Sequence, residues 1–257
     1  MDYLEVEDGR KRDGLRLVLT TGGPGPWSEA AKGIFQVKGL AFAPVRQVAG
    51  EQNQVLQEWT GQSSAPVAVW NDDPPCATSR TILWLAERLA PEPALVPRDP
   101  EERATCLGVC DEIHGENGFG WCRRLGMFAP IMEALGEKAA DSALGFMAWK
   151  YGYSPQAAAR AENRIVEILG FLAARLARQR DAGRRYLVGD RLTAADIYWA
   201  AFAAMVAPLS AEVCPMPDGL RDMYTVREGR IAVALDPALI AHRDFIYQEH
   251  LELPLRF

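Results

Sequence analysis

The hydrophobic and polar positions of the first fifty residues predict two strands separated by a helix. Residues 15–21 form an apolar run rich in strand-forming side chains, which predicts a first strand. A stretch of glycine and proline at 22–26 ends it, and Pro26 suits the first turn of a helix. Residues 27–40 then follow a loosely helical spacing, and residues 41–48 predict a second strand. This order of elements indicates a βαβ unit.

The pattern continues with a shorter strand between two helices. Residues 51–62 predict a short, irregular helix, and residues 65–70 predict a third strand that a proline opens. A turn follows, with at most one very short strand beside it. Residues 78–89 place apolar side chains on one helical face, with Thr78 or Ser79 as the N-cap.

Strand patterns largely stop after a proline-rich segment. Residues 91–100 contain four prolines in ten positions, which is typical of a linker and marks the clearest domain boundary of the chain. A glycine-rich stretch at 115–126 predicts no regular element. The remaining helices are predicted at residues 101–114, 128–149, 154–183 and 237–251.

The most specific pattern lies in residues 187–206, before and within an alanine-rich apolar run. Thr193 and Asp196 have the spacing of a capping box, in which each side chain bonds the other residue's backbone amide. Leu192 and Ile197 have the spacing of a hydrophobic staple. Because the following helix is apolar nearly all round, we expect it to be buried inside a helical domain.

Composition narrows the class of protein. Hydrophobic residues make up 49% of 257, enough for a sizeable core, and the net charge of −6 predicts no nucleic-acid face. The acidic start predicts no signal peptide, and no apolar run predicts a membrane span. The five cysteines favour reduced thiols and a cytoplasmic location. Cys106, Cys110 and His114 share a helix face, but without an evident fourth ligand we expect no metal site.

The string Gly189-Asp-Arg-Leu-Thr-Ala-Ala-Asp-Ile197 resembles the capped core helix of the glutathione S-transferase family. The Ala65–Pro66 strand start and the linker segment 95–103 fit the same family. The resemblance covers residues 15–250. It implies a homodimer and the glutathione S-transferase fold, which is an α/β plus all-α architecture. The implied parts are a thioredoxin-like N-terminal domain at 1–90, a linker at 91–100 and an all-helical C-terminal domain at 101–257.

The family implies glutathione as co-substrate and a small apolar electrophile as the second substrate. Attack on the electrophile requires the thiolate, which a nearby hydroxyl donor stabilises. The family's reactive position falls on about Gly25, which carries no side chain. Ser28 and Thr21 are therefore the candidate catalytic residues, and backbone amides of the 22–27 loop are an alternative.

The resemblance also implies residues that bind the two substrates. The family has a cis proline at the position of Pro66, which turns the backbone of Ala65 towards the cysteinyl part of glutathione. Ser79 keeps the hydroxyl that binds the γ-glutamyl end, whereas Thr78 replaces an acidic residue, and Trp27 is a further candidate. The predicted electrophile pocket comprises Phe119, Trp121 and Tyr153.

Two hypotheses of function follow. The first is an enzyme that adds or uses the glutathione thiolate against the electrophile. The second is a non-catalytic protein that binds glutathione or another ligand on the same fold. Gly25 and Thr78 favour the second hypothesis, because each lacks the family's functional group, whereas Pro66 and Ser79 agree with both.

Overall fold

A three-stranded sheet organises the first part of the chain. The computed structural model describes residues 1–257, with the exception of the side chain of Ala140. Strand β1 (Leu15–Thr20) lies at the centre of the sheet. Strand β2 (Ala43–Gln47) pairs with it in parallel, and β3 (Val67–Trp70) pairs with it antiparallel. The parallel pair confirms the predicted βαβ unit.

Short helices flank this sheet. The N-terminal helix was not predicted, since its few residues are mostly charged and show no helical apolar face. Pro26 opens the helix that joins β1 to β2, and Thr78 caps the helix after β3, both as predicted. The helices are α1 (Val6–Lys11), α2 (Pro26–Val37), α3 (Gln54–Thr60) and α4 (Ser79–Leu89).

The central strand is buried on both faces, because alternate side chains of a strand point in opposite directions. Leu15, Leu17 and Leu19 belong to the larger hydrophobic core, which continues through the helical part of the chain. Val18 belongs to a separate, smaller core with Val45 of β2. The larger core therefore joins one face of the sheet to the helical part of the chain, and the smaller core covers the other face.

Helices make up the second part of the chain, which confirms the predicted thioredoxin-like part followed by an all-helical part. Their order runs α5 to α12, with two 3-10 segments between them. The elements are α5 (Pro100–His114), α6 (Phe119–Leu135), a 3-10 helix (Gly136–Asp141), α7 (Ala143–Lys150), α8 (Pro155–Asp181), α9 (Ala194–Phe202), a 3-10 turn (Ala203–Met205), α10 (Asp218–Tyr224), α11 (Gly229–Ala234) and α12 (Pro237–His250).

The single helix predicted at 128–149 was wrong. Helix α6 begins earlier, inside the glycine-rich stretch, and stops before Gly136, whose φ of 54° leaves the right-handed helical region. Ser142 then caps α7 by accepting a hydrogen bond from the amide of Gly145 at 2.9 Å. Helices α10 and α11 were not predicted either.

Helix α9 is buried along its whole length and packs against α2, α5 and α12. The predicted capping box is present at its start. The fully buried Asp196 carboxylate accepts from the Thr193 amide at 2.9 Å and from its hydroxyl at 2.8 Å. It also accepts from the Leu187 amide at 2.8 Å and lies 2.9 Å from Nε2 of His242. A single carboxylate thus joins three segments of the helical part.

The proline-rich segment packs between the two parts. Leu95 is fully buried, and its carbonyl accepts from the Ala194 amide at 2.9 Å. The buried Lys38 ammonium donates to the carbonyls of Ala90 and Pro93 at 2.7 and 2.9 Å. The boundaries at 90 and 101 stay a prediction. Within the described residues, no helix combines the length and the apolar character needed to cross a bilayer.

Candidate functional site

A cavity of about 630 Å³ lies between the sheet-containing part and the helical part. The first part contributes the turn between β1 and α2, the end of β2, the residues before β3 and the start of α4. The second part contributes the end of α5, the first turns of α6 and the end of α7. The size is that of a pocket for a small organic ligand.

The Ser28 hydroxyl lines the cavity beside the start of α2, although the residue is only 2% exposed. Its oxygen accepts from the Thr20 amide at 3.1 Å. The Thr20 hydroxyl, the other partner in reach, is 3.5 Å away, at the limit of a hydrogen bond. Ser28 is the donor in this long contact, so an acceptor in the cavity would have to replace Thr20 as the partner of the Ser28 proton.

The neighbouring threonine hydroxyls are engaged elsewhere. Thr20 donates to the side-chain oxygen of Gln47 at 3.0 Å. Thr21 donates to the backbone carbonyl of Gln47 at 3.3 Å and lies outside the cavity wall. Of the two predicted catalytic residues, the structure thus brings Ser28 to the cavity and leaves Thr21 beside the sheet.

Gly25 caps α2 and borders the same corner of the cavity. A Cβ atom at this position would lie 3.4 Å from Cβ of Thr20 and 3.7 Å from Oγ of Ser28, which is ordinary van der Waals contact. Its φ is −65°, a value that any residue adopts. The backbone and its nearest neighbours therefore accommodate a Cβ atom here.

The predicted glutathione-binding residues all line this cavity. The Ala65–Pro66 peptide bond is cis, as the resemblance implied, and both residues border the cavity. Thr78 and Ser79 border it at the start of α4, and Trp27 borders it after Gly25. The structure therefore brings together side chains that lie up to 52 positions apart, counted from 27 to 79.

The start of α4 is held by a capping box of two threonines. Thr78 accepts from the Thr81 amide at 3.1 Å, and Thr81 accepts from the Thr78 amide at 3.1 Å. The Ser79 carbonyl accepts from the buried Tyr198 hydroxyl of α9 at 3.0 Å. The amino end of a helix has unsatisfied amides and a positive dipole, so this corner suits a carboxylate.

Aromatic side chains form the wall that faces the β1–α2 turn. The Trp121 indole donates to the Tyr151 carbonyl at 3.0 Å, and the two ring centroids are 4.7 Å apart. The Tyr151 ring also lies 6.0 Å from the Trp27 ring. The Trp27 indole donates to the His114 carbonyl at 3.1 Å, which ties this wall to α5.

Two residues of the predicted electrophile pocket lie outside the cavity. Phe119 begins α6 and is fully buried, with its ring edge-on to Trp199 at 5.5 Å. Tyr153 is half-buried and borders a different depression, next to α8. Trp121 is the predicted pocket residue that the structure places in the cavity wall, and Tyr151 lies beside it.

The cavity wall also contains ionisable groups from the helical part. Burial lowers the pKa of His114 to about 4, so its imidazole is neutral at pH 7. Arg80 and Asp111 form an ion pair at the α4 corner. Arg124 and Lys150 contribute positive charge on the aromatic side.

The two cysteines on the His114 face are buried thiols. Cys106 and Cys110 are at most 1% exposed, and burial raises the pKa of the Cys110 thiol. Among the described residues, no group of three histidine, cysteine, aspartate or glutamate side chains has the arrangement of a metal site.

A family model for the glutathione S-transferase C-terminal domain matches residues 155–235. This part of the chain is therefore similar to the C-terminal domain of glutathione S-transferases. The match spans α8 to α11 and includes the capping box of α9, the pattern on which the resemblance rested. No curated protein matches the chain significantly.

Solved structures share the fold over nearly the whole chain. A glutathione S-transferase from Methylobacterium radiotolerans, in complex with glutathione sulfonate, is 22% identical with a TM-score of 0.58 and 91% of each chain covered. The beta-etherase from a Sphingobium species is 21% identical with a TM-score of 0.63, over 92% of this chain and 96% of that one. A glutathione S-transferase from Methylobacillus flagellatus, with GSH bound, is 14% identical with a TM-score of 0.64, over 92% and 96%. The chain therefore has the glutathione S-transferase fold.

Sequence reasoning missed Thr20, Gln47 and Arg124 as parts of the cavity. Thr20 and Gln47 are partners in the parallel register of β1 and β2, so the strand pairing itself could have indicated their proximity. Arg124 lies in the glycine-rich stretch, where no helix was predicted. Without a predicted helix, no pattern assigned its side chain to a face.

Proposed function

We propose that this chain binds glutathione in the cavity and adds its thiolate to an electrophile, or uses the thiolate to reduce or cleave one. The observation that carries the proposal is the Ser28 hydroxyl. It lines the cavity at the start of α2, accepts from the Thr20 amide and donates only over 3.5 Å to the Thr20 hydroxyl, a weak contact that a thiolate would replace. A hydroxyl donor and a helix amino terminus both stabilise a thiolate, so they lower the pKa of the bound thiol.

The remaining contacts of glutathione follow from the lining residues. Trp27, Ala65 and Pro66 would contact its cysteinyl part, and Thr78 and Ser79 would hold its γ-glutamyl end at the start of α4. Structures of the same fold were solved with glutathione sulfonate or GSH bound, which supports this ligand. The electrophile would lie against Trp121, on the aromatic side of the cavity.

The test is a Ser28→Ala variant, assayed for glutathione conjugation between pH 6.5 and 9. A hydrogen bond to a charged group is worth about 1.5–3 kcal/mol, and about 1.4 kcal/mol shifts a pKa by one unit. We therefore expect the pKa of the bound thiol to rise by about one to two units. Turnover should then fall far more at pH 6.5 than at pH 9.

Thr21→Val is the matched control, because the Thr21 hydroxyl donates to a backbone carbonyl beside the sheet. It should keep the parent's pH profile. If Ser28→Ala also keeps that profile, Ser28 is not the donor, and the loop amides remain as the source of thiolate stabilisation.

A second function on the same fold is non-catalytic binding of glutathione or another ligand, which the missing side chain at Gly25 favours. Retention on immobilised glutathione without any conjugation would support it. Since a Cβ atom is accommodated at position 25, Gly25→Ser separates the two functions. If the parent protein has no conjugation activity and Gly25→Ser gains it, the parent lacks only a hydroxyl donor for the thiolate.

We also propose a homodimer from the family resemblance, a cytoplasmic location from the unpaired cysteines, and separate folded parts at 1–90 and 101–257 from the proline-rich linker between them. The described cysteines are all unpaired thiols, which agrees with a reducing compartment. A monomeric mass by analytical ultracentrifugation at micromolar concentration would contradict the dimer.

A further inference from the structure

Arg124 is a partly buried cation in the cavity wall, and none of the described carboxylates forms an ion pair with it. Its guanidinium donates to the Tyr224 hydroxyl at 2.9 Å and lies over the Tyr224 ring, 5.6 Å from the centroid. Its Nε atom is buried and has no hydrogen-bond partner among the residues that the structure describes. The ionisable groups beside it are the phenols of Tyr224 and Tyr151, and neither is a carboxylate.

Two buried lysines of this protein are paired with carboxylates. Lys32 lies 2.6 Å from the Glu29 carboxylate, and Lys38 lies 2.8 Å from the Glu87 carboxylate. Arg123, the neighbour of Arg124 on α6, donates twice to the Met205 carbonyl, at 3.0 and 2.8 Å. Arg124 instead has the phenols of Tyr224 and Tyr151 beside it. An uncompensated buried charge is costly, so a ligand that supplies the counter-charge would be bound favourably.

The surroundings of Arg124 suit a flat organic anion. Trp121, Tyr151 and Phe146 border the same side of the cavity and offer aromatic surface. The Tyr151 ring lies 6.0 Å from the Trp27 ring. Trp27 precedes Ser28, the residue that would stabilise the thiolate, in the same cavity wall. The planar guanidinium matches the geometry of a carboxylate, to which it can donate two parallel hydrogen bonds.

We propose that the electrophile of this protein is an aromatic carboxylate, whose ring packs against Trp121 and Tyr151 and whose carboxylate binds Arg124. This inference rests on the proposed function, because it assigns a substrate class to the same cavity. The anion is a passive anchor. When the leaving group is a halide, the thiolate sulfur attacks the ring carbon that bears it, the carbon–sulfur bond forms, and the halide leaves with the electron pair.

The test uses binding, so that it does not depend on turnover. The probes are two glutathione conjugates, S-(4-carboxy-2-nitrophenyl)glutathione and its carboxamide, S-(4-carbamoyl-2-nitrophenyl)glutathione, with free glutathione as the third ligand. Isothermal titration calorimetry measures all three. We expect the full-length protein to bind the carboxylate conjugate at least about tenfold tighter than the carboxamide, as for a charged hydrogen bond.

Variants assign this preference to one side chain. Arg124→Gln should abolish the preference and leave the affinity for free glutathione unchanged, whereas Arg124→Lys should keep part of the preference. Lys150→Met is the matched control, because it removes the other cation on this side of the cavity. It should retain the preference.

Each contrary outcome has its own meaning. Equal binding of the two conjugates by the parent protein overturns the inference even if Arg124→Gln does not fold. Loss of the preference in Lys150→Met alone also overturns it. So does an Arg124→Gln variant whose affinity for free glutathione falls as much as its affinity for the carboxylate conjugate. If the parent binds none of the three ligands, the proposed glutathione function fails as well, which is a distinct result.

Discussion

The two threonine-capped helices of this protein begin with the same local motif and differ in what surrounds it. At the start of α4, Thr78 and Thr81 bond each other's amides, and Thr78 is exposed at the cavity. At the start of α9, Thr193 and Asp196 form the same box, and the Asp196 carboxylate is fully buried. One box borders a candidate binding site, and the other lies in the core.

The difference shows that a capping motif predicts where a helix starts, whereas the residues packed around the motif decide whether it borders a binding site or lies in the core. The Thr81 hydroxyl bonds only within its own turn, whereas Asp196 also contacts Leu187 and His242. The Tyr198 hydroxyl, which donates to the Ser79 carbonyl, joins the two helices. The buried box therefore supports the helix against which the exposed box is held.

The largest expected effect is on stability, from Asp196→Ala. The change leaves the Leu187 and Thr193 amides and His242 without their buried acceptor, at about 1–3 kcal/mol for each unsatisfied group. We expect a loss of about 3–5 kcal/mol in the free energy of unfolding, measured by urea denaturation. Thr78→Val is the comparison and should cost about 1 kcal/mol, the usual value of a helix cap. Equal losses in the two variants would contradict the distinction.

An intermediate effect is expected from His114, whose ring lies 4.3 Å from that of Tyr198 between the two boxes. Its pKa is lowered to about 4 in the folded state, so the unfolded chain binds more protons between pH 6.5 and 4. Stability should therefore fall as the pH drops through this window, by about 3 kcal/mol. Denaturation at several pH values measures it. His114→Gln should remove this part of the pH dependence, and an unchanged slope would rule out His114 as its source.

The smallest expected effect on stability comes from Thr78→Asp, which restores the acidic residue of the family pattern. Aspartate caps a helix about as well as threonine, so the free energy of unfolding should change by less than about 0.5 kcal/mol. Affinity for glutathione should rise about fivefold, if the carboxylate pairs with the γ-glutamyl ammonium at about 1 kcal/mol. Calorimetry measures this gain.

The same substitution in the other box completes the comparison. Thr193→Asp would place a second carboxylate against the buried Asp196, and like charges in a buried site repel strongly. We therefore expect this variant to be unstable. A stable Thr193→Asp protein would show that the two boxes are more alike than their burial indicates.

Local patterns in the sequence predicted much of the fold and part of the site. The strand and helix periods identified β1, α4, α8 and α9, and the Thr193–Asp196 spacing pointed to the family. The glycine-rich start of α6 was missed, because Gly118 caps it without a side chain and its sequence has no clear polar face. The residues Trp121 and Arg124 therefore had no assigned direction.

What the sequence by itself determined is where α4, α8 and α9 begin and where the strands lie, because capping and strand patterns depend on residues within a few positions of each other. Tertiary structure alone decided that Ser28, and not Thr21, reaches the cavity, since the choice depends on how β1 pairs with Gln47. It also decided the surroundings of Arg124, whose hydrogen-bond partner Tyr224 lies 100 positions away. Contacts over such separations form only when the helices pack, so no local pattern contains them.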